Sequence, residues 1–260
     1  DHMNKGNSYD LLIQKLDRFI RKYYVNQLIR GVLYTTALVL VLFLGLNFLE
    51  HYYYFPADTR KVLFYSFLGI SAVALCGWVL LPMLRYFRLG KTISHTRAAT
   101  IIGNHFVDVK DKLLNILQLR DQAQQSPNAA LVLASINQKS EQIKLVPFKN
   151  AIDLAQNRKY LSYALPPLML LVIILFAAPS LIKDSTNRLI RNNEEFERPA
   201  PFAFVVEDED MEVIQFEDYP LTVKVTGEVL PNEVFIDVDN YQYRLTKQEP
   251  GIFTYRFSNV

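Results

Sequence analysis

YLSYALPPLMLLVIILFAAPSLI, residues 160–182, holds no charged side chain in 23 positions and lies between AQNRK and KDSTNRLIRNNEEFERPAP. A helix rises 1.5 Å per residue, so about 20 apolar residues cross the roughly 30 Å of hydrocarbon in a bilayer. Two more uncharged runs have that length, GVLYTTALVLVLFLGLNFL at 31–49 and VLFYSFLGISAVALCGWVLLPML at 62–84. A soluble core helix this long keeps charge on one face, and these keep none. The sequence predicts three transmembrane helices at 31–49, 62–84 and 160–182, with the lipid bilayer as the chain's first partner.

The overall composition conceals this, because 260 residues, half of them apolar, with a net charge of +2 would suit one or two soluble domains. The charges are polarised along the chain. Residues 1–30 carry six Lys or Arg and residues 85–159 carry twelve, against two in 50–61. Cytoplasmic segments collect the cations, so the amino terminus and 85–159 are expected in the cytoplasm, and three crossings put the tail outside. In a Gram-negative cell that side is the periplasm. The 85–159 segment sums to +7, whereas the tail from 183, with eight basic and sixteen acidic residues, sums to −8. HYYYFP at 51–56 suits the outer headgroup region, and Tyr23, Tyr24, Tyr86, Phe87, Tyr160 and Tyr163 suit the inner one. DHM at 1–3 reads as a cloning scar with Met3 as the native start, and with no cleavable signal the first span is expected to remain as an anchor.

Residues 8–30 read as an amphipathic cytoplasmic helix, with Leu12, Leu16, Phe19 and Tyr23 on one face and Lys15, Arg18 and Lys22 on another. That face either lies along the inner membrane surface before the chain turns into the first span, or packs on the cytoplasmic helices. In the second span Gly69, Ala72 and Cys76, with Gly77 beside them, make a stripe of small side chains that forms a candidate helix-packing face. Its expected partner is the first or third span, with another protein as the alternative. Cys76 is the single cysteine, which excludes an intramolecular disulfide and a cysteine-based zinc site.

Residues 85–159 read as cytoplasmic helices joined by polar turns. Ala98, Ile101, Ile102 and His105 share one face after Ser94; Val109, Leu113, Ile116 and Leu117 share another after Asp108. A third helix carries Leu133, Ile136, Ser140 and Ile143 and ends by Pro147, and a fourth is expected around AIDLAQNRKYL. Pro166 and Pro167 are expected in the first turn of the third span, with a kink just inside the membrane as the alternative.

Beyond the third span the period changes to 2. Leu221, Val223 and Val225, then Val234, Ile236 and Val238, then Phe253, Tyr255 and Phe257 alternate with more polar neighbours. FAFVV at 202–206 and YQYRL at 241–245 add strands, and DN at 239–240 and PG at 250–251 supply turns. Residues 199–260 are therefore expected to form an all-β, immunoglobulin-like periplasmic domain. It is expected to be incomplete, because about seven strands in roughly 100 residues are needed for that fold, with a small complete barrel that closes on itself as the alternative. Phe253, Tyr255 and Phe257 would then face outward until later strands covered them.

No constellation of an enzyme is present: no phosphate-binding glycine loop, no H-E-x-x-H, no G-x-S-x-G and no paired cysteines. No catalytic residue, cofactor or metal is expected. His95, His105 and Asp108 match no standard metal spacing, so solvated or hydrogen-bonded histidines are expected. EDED at 207–210 with Glu212 has the oxygens of a calcium site but not its glycine or spacing, which favours a solvated turn. The three spans hold no Asp, Glu, Lys, Arg or His, which argues against a pump or ion-coupled transporter. The cations of 85–159 are spread rather than massed on one helix, which argues against nucleic acid as a partner.

The phrases YDLLIQKLDRFIRKYYVNQLIRG, YFRLGKTISHTRAATIIGNHF, VKDKLLNILQL, NRKYLSYALPP, APSLIKDSTNRLI and FERPAPFAFVV together resemble a family of large, functionally uncharacterised inner-membrane proteins of Bacteroidota. The likeness runs from Asn4 to Val260 and is to the amino-terminal part of that family. It implies an inner-membrane location and a periplasmic part that continues past residue 260, and it carries over no site residue. The expected function is a non-enzymatic anchor and scaffold that presents periplasmic β-domains to envelope partners or to copies of itself. The alternatives are an accessory subunit of an envelope transport or secretion complex, and the anchor of an enzyme whose catalytic domain lies beyond residue 260.

Overall fold

Helix α1 runs without interruption over Asn7–Tyr53, which is 47 residues and about 70 Å at 1.5 Å per residue. It unites the amphipathic segment and the first apolar run in one rod, and no turn separates them. The structure, a computed structural model, describes residues 7–123, 125, 127–207, 212 and 214–258.

The amino-terminal half of α1 buries Leu12, Leu16, Phe19, Ile20 and Tyr24. These side chains meet Ala98 and Ile102 of α4 (His95–His105), Leu113 and Ile116 of α5 (Val107–Ala123), and Ile136 and Ile143 of α6 (Ala129–Ile143). The amphipathic face thus packs on helices, the second of its two expected placements. Each fully buried Leu, Ile or Phe here contributes about 1.5–3 kcal/mol of apolar transfer, enough for a small helical core. Ser94 caps α4 by accepting the Arg97 N–H at 3.1 Å, and the Tyr24 hydroxyl accepts the Ile93 N–H at 2.8 Å. A single fourth helix around AIDLAQNRKYL is not what forms. Two short 3₁₀ turns occupy Phe148–Ala151 and Leu154–Asn157, because Asp153 adopts an extended backbone and its carboxylate takes the Ala155 N–H at 2.9 Å.

Three helices are long and apolar enough to cross a membrane. The first is α1. The second runs through α2 (Ala57–Leu75), a π turn at Cys76–Leu80 and α3 (Leu81–Tyr86), and the third is α7 (Arg158–Ala177). Among the described residues, α2 and α7 pack on α1 rather than on each other. In the most apolar window of each span, 22%, 11% and 11% of the residues are buried inside the protein, so most of their surface is left for lipid or other helices.

Pro166 and Pro167 do not open the third span. The helix already begins at Arg158, so both lie inside it, where they release the carbonyls of Ser162 and Tyr163 from the backbone ladder. A different proline ends it. Ala178, with φ −145° and ψ 65°, leaves the helical region because the residue before Pro179 is sterically barred from it. Residues 178–182, expected inside the span, instead lead into a separate helix α8 (Pro179–Ile190), which buries Ile182, Ser185, Arg188 and Leu189 on one side.

Residues Glu197–Val260 are a second compact unit. It holds a four-stranded antiparallel sheet in the order β1-β2-β6-β5, from Phe202–Val206, Tyr219–Gly227, Ile252–Phe257 and Thr246–Glu249. Strands β3 (Phe235–Val238) and β4 (Tyr241–Arg244) form a separate two-stranded ribbon. Their turn is Asp239-Asn240 with φ of 55° and 66°, the pair of positive values that matches the twist of a tight hairpin. Leu221, Val223 and Val225 alternate inward from β2 and meet Val234, Leu245 and Phe253. The expected outward face of Phe253, Tyr255 and Phe257 is not found: Phe253 is fully buried, and Tyr255 and Phe257 pack half-buried against the same core. The large apolar side chains left exposed in this unit include Phe204, Phe235 and Tyr241.

Candidate functional site

Among the described residues a buried cluster of charged side chains lies at the end of α1 remote from the helical domain, where Glu50 lies in the last turn. Tyr54 follows with a left-handed φ of 47°, and Pro56 caps the start of α2 in an extended conformation, so the chain reverses within three residues. That reversal brings Arg60, in the first turn of α2, back beside Glu50. Helix α8 brings Arg188 to the same point from the other side.

Glu50 Oε1 accepts from Arg60 Nε at 3.1 Å and from Arg188 Nε at 3.1 Å. The Glu50 and Arg60 side chains are fully buried and Arg188 is 8% exposed. Arg60 Nη1 and Nη2 donate to the backbone carbonyls of Glu194 and Phe55, each at 2.7 Å. Arg188 adds long contacts at 3.4 Å to the Glu50 carbonyl and Ser185 Oγ. Aromatic faces cover both cations, Tyr54 at 4.1 Å from Arg188 and Phe196 at 5.0 Å from Arg60. One turn earlier Asn47 accepts from Thr186 Oγ1 at 2.9 Å, a second polar tie between α1 and α8.

This arrangement has little scope for acid–base chemistry. Arginine does not deprotonate in proteins, and the carboxylate that faces both guanidiniums holds them as a counter-ion. It is suited to fixing geometry, since one carboxylate joins α1, α2, α8 and the backbone at Glu194. Glu50 Oε2 is buried without a hydrogen-bond partner, so the cluster is not fully satisfied. Removing either kind of partner from a buried pair leaves an uncompensated charge at a cost of about 3–5 kcal/mol.

The small-residue stripe has a different fate from the expected contact with another span. A Cβ built on Gly69 or Gly77 meets nothing within 4 Å, and Ala72 and Cys76 are exposed. Gly69 and Gly77 line an open apolar groove of about 740 Å³ between α1 and α2. The close backbone approach of these helices lies elsewhere: a Cβ on Gly31 would overlap the carbonyl of Trp78, inside the π turn. A glycine in α1 and a distorted turn in the second span make the crossing, and no stripe in one helix announces it.

Of the other candidates, His95 Nε2 lies 2.9 Å from Asp17 Oδ1, and Arg88 pairs with the same carboxylate at 3.0 Å. His105 packs edge-on against Phe106 with ring centres 4.7 Å apart. Among the described residues no group of three or more His, Cys, Asp or Glu could hold a metal ion. Asp208, Glu209 and Asp210 of the acidic turn lie outside the described residues.

Nothing in the sequence alone links Glu50, Arg60 and Arg188 to one another. The available signal was local: a carboxylate directly after an apolar run, a cation ten residues on across Pro56, and Ile182, Ser185 and Leu189 at helical spacing around Arg188. No family model, curated protein or solved structure matches the chain.

Proposed function

We propose that this chain is a non-enzymatic inner-membrane anchor and scaffold, related to the Bacteroidota family it resembles, that holds β-domains in the periplasm for envelope partners. The observation that carries the reading is the Glu50, Arg60 and Arg188 cluster. Through Arg60 it holds Glu194 and Phe196, the last residues of the helical unit before the β unit begins. A chain exit tied to two spans and to α8 is what an anchor requires. The orientation rests on the cation excess of 1–30 and 85–159 and on the aromatic residues at both ends of the spans. The four-stranded antiparallel sheet and the separate β3–β4 ribbon support an immunoglobulin-like sandwich for the β unit.

Photo-crosslinking in native cells tests the scaffold role. A photoreactive side chain at Phe235 or Tyr241, both exposed on the ribbon, should capture periplasmic or envelope proteins. Silent probes at both positions, while one at Val73, exposed on the second span, crosslinks to subunits co-purifying at fixed stoichiometry, would reject the scaffold in favour of an accessory subunit of a membrane complex.

A further inference from the structure

Three cavities run end to end along the seam between α1 and the second span. The one nearest the helical domain, about 200 Å³, is bordered by Gln27, Arg30, Tyr34 and Pro82 and shares Gly77 and Trp78 with the next. That middle cavity, about 740 Å³, continues past Val73 and Gly69 and shares Ser66 and Ile70 with a third of about 270 Å³ beside Gly45. No residue of α7 lines any of them. The seam is open because glycines replace side chains there: a Cβ on Gly45, Gly69 or Gly77 would touch nothing within 4 Å.

The two ends of this seam differ chemically. The middle and far cavities are apolar apart from Ser66. The near mouth holds Arg30, whose Nε is buried without a hydrogen-bond partner and whose guanidinium has no ion pair among the described residues. Its guanidinium lies over the face of Tyr160, 5.1 Å away, and the side chain also borders a polar cavity on the helical-domain side with Asn26, Asp153 and Gln156. Tyr34 packs against both Tyr160 and Trp78, at 5.1 and 5.6 Å, so the mouth is an aromatic cluster of the kind that settles at headgroup depth. From Trp78 to Ser66 the second span rises about 18 Å, close to the roughly 15 Å of hydrocarbon in one leaflet.

We propose that this seam binds an anionic glycerophospholipid of the leaflet next to the helical domain, with its phosphate at Arg30 and one acyl chain along Gly77, Val73 and Gly69. The unpaired guanidinium decides between a lipid and a partner's helix. A helix laid in the groove would fill its apolar part but leave the Arg30 guanidinium without a counter-ion unless it carried a carboxylate at that one level. A phospholipid places a phosphate at that depth by its nature and fills the apolar groove with a flexible chain.

Native mass spectrometry of the full chain, released from detergent with added phosphatidylglycerol or phosphatidylcholine, tests this. Wild type should retain one phosphatidylglycerol with a preference over phosphatidylcholine on the order of fivefold, the effect of one cation near a headgroup. Arg30→Gln should keep lipid binding and lose the preference. Gly77→Leu, which has space for its side chain, should melt like wild type and lose the retained lipid of either kind.

Equal retention of the two lipids by wild type, an unchanged preference in Arg30→Gln, or unchanged retention in Gly77→Leu would each overturn the site. So would a stoichiometric second copy or partner protein that blocks lipid binding at the seam. Retention of neither lipid by wild type would also overturn the site.

Discussion

Arg60 Nε lies 3.1 Å from Glu50 Oε1, and both side chains are completely shielded from solvent. Because Arg188 shares the same oxygen, two cations depend on one anion. Glu50→Gln should lower stability by about 3–5 kcal/mol, read as thermal unfolding of the full chain in a mild detergent. The triple variant Glu50→Leu, Arg60→Met, Arg188→Met should be less damaged than Glu50→Gln, because it leaves no charge buried alone. A triple variant less stable than the single one would mean that the ion cluster is worth more than its desolvation costs.

Gly31 and Gly45 give a paired test of the helix seam. Gly31→Ala places a methyl group on the Trp78 carbonyl and should cost about 1–3 kcal/mol, the usual range for overpacking. Gly45→Ala has open space and should be neutral or stabilising, since alanine is the better helix former by about 1 kcal/mol. Equal effects of the two on detergent unfolding would show that α1 and the π turn do not touch there.

Asp17 should give the helical domain an acid-sensitive step. Burial alone would raise its carboxyl, but hydrogen bonds from His95 and Arg88, together with their charges, hold it below the ordinary range. A depressed carboxyl contributes stability above its unfolded pKa of about 3.9, and that contribution is lost as pH falls through the lower folded value. Glu141, lowered by the Ser8 hydroxyl and by Lys144, acts in the same direction. Melting of Asp17→Asn should fall below wild type at pH 7 and converge with it only as pH falls through the lowered folded value. A constant gap across that range would assign the loss to packing.

The orientation is open to a direct test. A periplasm-active reporter fused after Pro201 should be active and one fused after Gln138 silent. The reverse pattern would overturn the charge argument.

The spans were legible because length and absence of charge need no tertiary information, and the strands because a period of 2 repeats within each run. What could not be read were features set by a neighbour. The uninterrupted passage of α1 through 30–31 depends on the helical core that Leu16 and Phe19 enter, and the start of α7 at Arg158 displaced Pro166 and Pro167 from its first turn. The Gly69 stripe had the right residue types for a close contact, but the helix that approaches closely does so at Gly31 and Trp78. Glu50, Arg60 and Arg188 are separated by up to 138 residues, and only the fold of α8 back onto α1 makes them one site.

The unbroken course of α1 fixes the helical domain in rotational phase with the spans. One residue inserted between Tyr24 and Gly31 would turn the domain by about 100° and lift it by about 1.5 Å, carrying Arg18 and Lys22 from one side of the axis toward the other. Seven inserted residues, nearly two full turns, would restore the azimuth and leave the domain about 10 Å farther from the bilayer. The protein therefore has a defined compass bearing as well as a defined depth.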